Sequence, residues 1–138
     1  MLFRSNIAGD LGAGSRRSST TPVAVAGLRG QAVSQLVASF ADSGALLANG
    51  TYEDWGYDLS GQLGDGLRGR SSDVPVRVRL PHPVIQAAEG GSIWDNGQTL
   101  VLLSDGSLWA WGDDHAGQLG NGTWGWRPPR SVSTRRPE

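Results

Sequence analysis

The sequence contains no cysteine and no lysine, and it has only two histidines among its 138 residues. Without cysteine the chain can form neither a disulfide nor a thiolate nucleophile, and a zinc site built on cysteine is excluded. The twelve basic residues are all arginine, and thirteen acidic residues leave a net charge of -1. This balance predicts no bulk binding to nucleic acid or to an anionic membrane.

Long apolar runs are also missing from the sequence. No stretch approaches the roughly 20 apolar residues of a membrane-spanning helix, and residues 1–5 lack the apolar core of a signal peptide. We therefore expect a soluble chain. The compartment stays open: the cytoplasm is the default, and an extracellular location fits if the chain is a fragment of a secreted protein.

The two histidines are the natural candidates for catalysis or metal binding. His82 lies between two prolines, and His115 lies in a polar segment next to Asp113 and Asp114. Neither has a partner at the spacing of a catalytic triad or a metal site, and three consecutive turn residues do not easily converge on one ion. The sequence therefore predicts no catalytic residue, no metal and no cofactor, and hence no enzyme.

One glycine pattern occurs three times, at residues 9–14, 61–66 and 117–122, and we call each copy a glycine frame. The frames begin 52 and 56 residues apart, which is typical of a repeat protein. Glycine at these positions can take positive φ and turn the chain sharply. A phosphate-binding loop is the alternative, but it requires a following helix that is not visible in the pattern.

The clearest repeat predicts β-strands. Residues 100–103 and 108–111 are apolar, and the Asp-Gly pair between them indicates a tight hairpin turn. A Pro-Val-x-Val segment at 75–78 predicts another strand beginning at its proline, and it matches a similar segment at 22–25. A further strand begins at 84–85. Four short strands per repeat favour a propeller blade over a helical solenoid.

Several residues recur at fixed positions, and we assign them structural roles in the repeat. The tryptophans among them are expected to fill the space between blades. The set comprises Gly9, Gly12, Gly14, Trp55, Gly56, Gly61, Gln62, Leu63, Gly64, Gly66, Asp105, Gly106, Trp109, Trp111, Gly112, Gly117, Gln118, Leu119, Gly120 and Gly122.

Residues 103–123 and 55–66 together resemble the repeat of the regulator of chromosome condensation family. The Asp-Gly, Trp-Gly and Gly-Gln-Leu-Gly elements occur in order and at fixed offsets. The resemblance implies a seven-bladed β-propeller of four-stranded antiparallel blades. Because about two and a half repeats are present, the predicted fold is an all-β partial propeller that cannot close a ring alone.

The chain departs from the family pattern in three places. The histidine that usually precedes the apolar strand is absent from both copies. Glu53 and Asp54 take the places of Trp109 and Ala110, which puts two carboxylates into a strand that should pack between blades. The segment 90–97 is longer than the usual connection. The first copy is therefore the more degenerate one.

We divide the chain into a lead at 1–5, a degenerate first repeat at 6–56, a second repeat at 57–112 and the start of a third with a loose tail at 113–138. Two and a half repeats leave end faces exposed. A fragment of a longer propeller is the favoured interpretation, and a homo-oligomer of several copies is the alternative.

Arginines follow each glycine frame and form the candidate partner-binding site. Equivalent loops lie on one face of a propeller, so these side chains would line one rim and bind carboxylates or phosphates of a partner. Ordinary exposed loops are the alternative. Tryptophans in the third loop would either anchor a partner or pack on a neighbouring blade. The set comprises Arg16, Arg17, Arg68, Arg70, Trp124, Trp126 and Arg127.

These features predict a non-enzymatic module that binds a protein. The resemblance implies two alternatives: guanine nucleotide exchange on a small GTPase combined with chromatin binding, or a secreted inhibitor like the β-lactamase-inhibiting propeller. Exchange requires a complete ring and a wedge loop, and inhibition requires a secretion signal. The binding module makes the fewest demands on the sequence.

Overall fold

Seven β-strands form two antiparallel sheets in the computed structural model, which describes residues 6–92 and 97–123. The strands are β1 Val33–Ala38, β2 Asp42–Leu47, β3 Tyr52–Gly56, β4 Ser72–Arg77, β5 Val84–Gly90, β6 Gln98–Leu103 and β7 Leu108–Gly112. The first sheet has the order β1-β2-β3-β4 and the second has the order β5-β6-β7. The all-β fold and the four-stranded antiparallel blade are thereby confirmed, and two sheets leave the propeller open.

The two sheets share their register, including an irregularity. Val33 of β1 pairs with Leu47, and Val84 of β5 pairs with Leu103. The two leucines, Leu47 and Leu103, stand 56 residues apart, which is the period between the second and third glycine frames. In both sheets the pairing shifts after the first residue, at the step to Gln35 in β1 and at the step to Gln86 in β5. A shared irregularity shows that the repeat is structural as well as a sequence period.

The predicted hairpin joins β6 to β7. Leu102 pairs with Leu108, and Gly106 takes a φ of 83° in the turn between them. The Asp105 carboxylate accepts a hydrogen bond of 2.9 Å from the backbone N–H of Ser107. The corresponding turn of the first sheet uses the Asn49 side chain, which accepts from the N–H of Thr51 at 2.9 Å.

The strand predicted at residues 75–78 begins three residues earlier, because β4 starts at Ser72. Pro75 therefore lies inside a strand and not at its first position. The structure tolerates this because β4 is an edge strand, and its pairing with β3 is irregular between the Asp54–Val76 and Gly56–Ser72 pairs. A missing N–H costs no ladder hydrogen bond there.

The sequence match at residues 22–25 does not form a strand. Its counterpart lies largely within β4, where pairing with β3 holds the backbone extended. Residues 6–21 contain no strand beside which residues 22–25 could lie. Strand formation in this repeat thus depends on a neighbouring strand more than on the local sequence.

The core lies between the two sheets. Tyr52 of the first sheet and Trp111 of the second pack edge to face, with ring centroids 6.2 Å apart. Val101 and Leu103 of β6 are fully buried against the same cluster. Such burial stabilises by roughly 25 cal/mol per Å² of apolar surface, so the contact between sheets contributes substantially to folding.

Three residues of the predicted partner-binding rim, Trp124, Trp126 and Arg127, lie outside the described residues. Within residues 6–92 and 97–123 there is no helix with the length and apolar character that a membrane crossing requires.

Candidate functional site

Each sheet contacts the glycine frame that precedes it through one tryptophan. The indole Nε1–H of Trp55 donates to the carbonyl oxygen of Asp10 at 3.0 Å, and that of Trp111 donates to the carbonyl of Gln62 at 2.7 Å. Asp10 and Gln62 are the second residues of their frames. Both indoles are 4% exposed, so each hydrogen bond is shielded from water and holds a frame against the next sheet.

Glycine is required beneath both indoles. Gly12 and Gly64 have φ values of 63° and 65°, which L side chains rarely adopt. A Cβ atom at either position would lie 2.6 Å from the Nε1 atom of the tryptophan above it. The frames therefore serve blade packing, which supports the structural interpretation over a phosphate-binding loop.

A glutamine side chain also joins the two sheets. The Nε2 atom of Gln35 donates to the carbonyl of Ala87 at 2.6 Å, and the Oε1 atom accepts from the N–H of Ala87 at 3.0 Å. Gln35 thus satisfies both backbone groups of one residue in β5. Gln86 occupies the same register position in the second sheet, and its side chain is exposed.

A buried polar side chain three residues before each glycine frame accepts a hydrogen bond from the frame's leucine N–H. Asn6, Asp58 and Asp114 accept hydrogen bonds of 2.9, 3.3 and 3.1 Å from the N–H groups of Leu11, Leu63 and Leu119, respectively. All three side chains are buried. Burial raises the pKa of Asp58 to about 6, and the nearby charge of Asp65 adds to the increase.

Three carboxylates converge between the sheets, and we call them the interblade carboxylate cluster: Asp42 of β2, Asp54 of β3 and Glu89 of β5. One oxygen atom from each lies within 4.8 Å of the others. Asp42 is 3% exposed and Asp54 is 0% exposed. Three acidic groups in such a volume repel one another strongly unless protons or a cation balance their charge.

Burial is the main cause of the raised pKa values in the cluster, and repulsion adds to it for Asp42 and Asp54. Burial, followed by the charge of Glu89, raises the pKa of Asp42 to about 7. Burial first, and then Glu89 and Asp42, raise the pKa of Asp54 well above its usual value. Burial also raises the pKa of Glu89. Strongly perturbed carboxyl groups of this kind are typical of functional sites.

Tyr52 and Gly44 complete the surroundings of the cluster. The Tyr52 hydroxyl donates to Oε1 of Glu89, and burial, with the nearby carboxylates, raises the pKa of the phenol. A Cβ atom on Gly44 would overlap both the Tyr52 hydroxyl and Oε1 of Glu89. The absence of a side chain at Gly44 therefore keeps open the space in which these oxygens meet.

Two of the predicted arginine loops lie next to each other. The Arg16 guanidinium donates to the carbonyl of Ile7 at 3.0 Å and to the carbonyl of Ser71 at 2.7 Å. Ser71 directly follows Arg70, so the loop after the first frame contacts the loop after the second. Arg68 donates to the carbonyl of Leu59 at 3.3 Å. The four arginines of these two loops, Arg16, Arg17, Arg68 and Arg70, are all exposed.

The polar segment before the third frame does not gather its side chains at one point. His115 contacts Asp113 through Nδ1, whereas the Asp114 carboxylate bonds inward to the Leu119 N–H and to the Thr123 hydroxyl. His82, which precedes β5, lies 3.6 Å from Asp105 in the turn between β6 and β7. Each histidine therefore has one aspartate partner, which is the exposed Asp105 for His82 and the buried Asp113 for His115.

The sequence pattern did not predict the interblade carboxylate cluster. It identified Asp54 as an unusual charge in a packing strand, but it linked neither Asp42 nor Glu89 to it. The expectation of no metal site considered only the histidines and their neighbours. A usable signal was present, because Asp42 occupies in the first repeat the position of Gln98 in the second. Its strand, β2, pairs with β3, which carries Asp54, so the repeat pattern places a second carboxylate near Asp54.

The chain shows clear relatives. It is 33% identical over 115 residues to the human E3 ubiquitin-protein ligase HERC2, a match that covers 83% of this chain and 2% of that protein. It is 29% identical over 112 residues to the mitochondrial RCC1 domain-containing protein RUG3 of Arabidopsis thaliana, covering 80% of this chain and 24% of the relative. No protein-family model matches the chain.

A solved structure shares the fold. The crystal structure of Prp20p from Saccharomyces cerevisiae, which describes its binding to Gsp1p and histones, matches with a TM-score of 0.64 and 22% identity. The match covers 88% of this chain and 31% of Prp20p. The chain thus spans less than a third of each of these three proteins.

Proposed function

We propose that this chain binds another protein through the rim formed by its arginine loops. The premise is that the chain belongs to the regulator of chromosome condensation repeat family and forms part of its propeller. The proposal is a binding role and not a catalytic one. Relatives named as ubiquitin ligases are far longer than this chain, so the ligase activity stays with those proteins and is not part of the proposal.

The contact between Arg16 and the carbonyl of Ser71 carries the proposal. It supports a continuous rim, because it joins the loop containing Arg17 to the loop containing Arg70. Arg17 and Arg70 are exposed and can therefore make charge-assisted, bidentate hydrogen bonds to carboxylates. The partner that fits this rim is a protein that presents an acidic segment.

The likeness to Prp20p supports a protein partner in general terms, since that protein is described with Gsp1p and histones as binding partners. At 22% identity the likeness shows the fold alone, and the identity of the partner does not transfer. We further propose that the chain contributes two blades to a larger propeller, in keeping with the small share of each relative that it covers.

A fluorescent polyglutamate peptide tests the rim. We expect the wild-type chain to bind it in fluorescence anisotropy, and the double variant Arg17→Ala, Arg70→Ala to bind roughly 2- to 10-fold more weakly, the loss of two exposed ion pairs. Arg16 is left intact because its hydrogen bonds to Ile7 and Ser71 support the loops.

The matched control is the double variant Arg77→Ala, Arg79→Ala, which removes the same charge. Both of these arginines are exposed, and they lie at or beyond the end of β4, whereas Arg70 precedes its start. The control should bind as the wild type does. Equal weakening in both double variants would mean that overall charge drives binding, and absence of peptide binding by the wild type would overturn the proposal.

A further inference from the structure

We propose that the interblade carboxylate cluster binds a divalent cation with oxygen ligands, for which Ca²⁺ has the right size. The ligands would be Asp42, Asp54 and Glu89. They come from three strands and from both sheets, so the bound ion would join the first blade to the second.

The spacing of the oxygens fits such an ion. Ca²⁺ takes six to eight oxygen ligands at about 2.3 to 2.6 Å, so ligands on opposite sides of the ion lie about 4.6 to 5.2 Å apart. The three carboxylates offer oxygens that all lie within 4.8 Å of one another. The three oxygens are therefore close enough together for one Ca²⁺ ion to bind between them.

The Asp54 side chain is the independent observation that points to a ligand. It is 0% exposed, and neither of its carboxylate oxygens has a hydrogen-bond partner among the described residues. Oδ2 of Asp42 and Oε2 of Glu89 are buried and unpartnered in the same sense. Buried carboxylate oxygens normally have partners, and a cation would supply one to all of these atoms at once.

No basic side chain neutralises the cluster among the described residues, so its charge is balanced either by protons on the carboxyl groups or by a cation. The chain has no lysine, and within residues 6–92 and 97–123 the two histidines pair with Asp105 and Asp113 and not with the cluster. The hydrogen bonds from Ser39 to Asp42 and from Tyr52 to Glu89 each satisfy one oxygen and add no charge. A divalent cation would supply the positive charge that these neutral donors lack.

Space and orientation also favour a ligand. Gly44 lies beside the cluster, and a side chain there would overlap the Tyr52 hydroxyl and Glu89. The Tyr52 hydroxyl fixes one oxygen of Glu89, which leaves Oε2 for the ion. Hydrogen bonds of this kind orient metal-binding carboxylates in known sites.

The test uses the full chain, freed of metal with a chelator and titrated with CaCl₂ at about pH 8, since carboxylate ligands must be deprotonated to bind. We expect saturable binding in isothermal titration calorimetry and a rise in Tm. Terbium(III), which replaces Ca²⁺ at oxygen sites, should show luminescence sensitised by the nearby Tyr52.

Asp54→Asn is the test variant, because it keeps the shape of the side chain and removes its charge. We expect at least a tenfold loss of Ca²⁺ affinity and no Ca²⁺-dependent rise in Tm. Glu53→Gln is the control: Glu53 is the adjacent residue of β3, is only half-buried and is not part of the cluster. This variant should bind Ca²⁺ like the wild type.

Two results would overturn the proposal. One is the absence of saturable Ca²⁺ binding and terbium luminescence in the wild-type chain. A higher Tm for Asp54→Asn would then mean that protons neutralise the cluster. The other is equal Ca²⁺ affinity in Asp54→Asn and Glu53→Gln. If Asp54→Asn fails to fold, Glu89→Gln provides the same comparison from the other sheet.

Discussion

The indole Nε1–H of Trp111 donates a 2.7 Å hydrogen bond to the carbonyl oxygen of Gln62, a residue 49 positions earlier in the chain. The hydroxyl of Thr99 donates to the same carbonyl at 3.2 Å. Both donors belong to the second sheet, and Gln62 lies in the connection that leaves β3 of the first. The second sheet therefore stabilises the connection between β3 and β4 of the first.

Gly64→Ala should be strongly destabilising, because the new Cβ would lie 2.6 Å from Nε1 of Trp111 and the backbone would stay at a φ of 65°. We expect a loss of about 3 kcal/mol or more in the free energy of unfolding, measured by chemical denaturation. Gly120→Ala is the matched control. Gly120 has a φ of 66°, and no described residue lies within 4 Å of its added Cβ. Its cost should be about 1 to 2 kcal/mol, and equal losses would contradict the role given to Trp111.

Trp111→Phe tests the hydrogen bond more directly than a glycine substitution does. The phenylalanine ring keeps much of the apolar contact but removes the indole N–H that donates to the Gln62 carbonyl, while the Thr99 hydroxyl still donates to it. We expect a loss of about 1 to 3 kcal/mol in unfolding free energy. Trp109→Phe should cost less, because Trp109 is half-buried and donates to the Ser107 hydroxyl within its own hairpin. A larger loss for Trp109→Phe would argue against the assignment.

Gln35→Ala removes both hydrogen bonds to Ala87 and leaves that residue's N–H and carbonyl without their partner. The expected cost is about 1 to 3 kcal/mol in unfolding free energy. Gln86→Ala is the control at the same register position of the second sheet, where the side chain is exposed. It should change stability by no more than about 0.5 kcal/mol. Hydrogen exchange at the Ala87 N–H should accelerate in Gln35→Ala only.

Asp58→Asn should stabilise the chain in a pH-dependent way. Because burial raises the folded-state pKa of Asp58 to about 6, above about 3.9 in the unfolded chain, the folded state favours the neutral form. Stability from this group is fully present below about pH 4 and is lost as the pH rises to about 6. Asp65 and Asp54 add to the repulsion felt by Asp58, and Arg68 partly offsets it.

The Tm difference between Asp58→Asn and the wild type should therefore be small at pH 4 and widen up to pH 7. Asn6 shows that an amide fits this position, since its Oδ1 accepts the N–H of Leu11 in the first frame. A Tm difference that stays constant between pH 4 and pH 7 would show that Asp58 does not titrate as described. Thermal scans at a series of pH values make the measurement.

The sequence was sufficient to predict the blade but not its contacts. The hairpin between β6 and β7 follows from apolar runs around an Asp-Gly turn, which are local features. The meeting of Asp42 with Glu89 depends on how one sheet packs on another, and the two residues stand 47 positions apart. The bond between Arg16 and Ser71 spans 55 positions and involves a backbone carbonyl, which carries no signal in residue identity. The sequence boundaries of the repeats, such as the one between residues 56 and 57, stay predictions.

The direction of the tryptophan contacts bears on how the protein is made. Trp55 bonds to Asp10, and Trp111 bonds to Gln62, so in both cases the later residue reaches back to the earlier one. On a ribosome each glycine frame emerges before the indole that covers it. A nascent chain can therefore cover one glycine frame with each new strand hairpin that leaves the exit tunnel. The most recently synthesised frame stays uncovered until the next tryptophan has emerged.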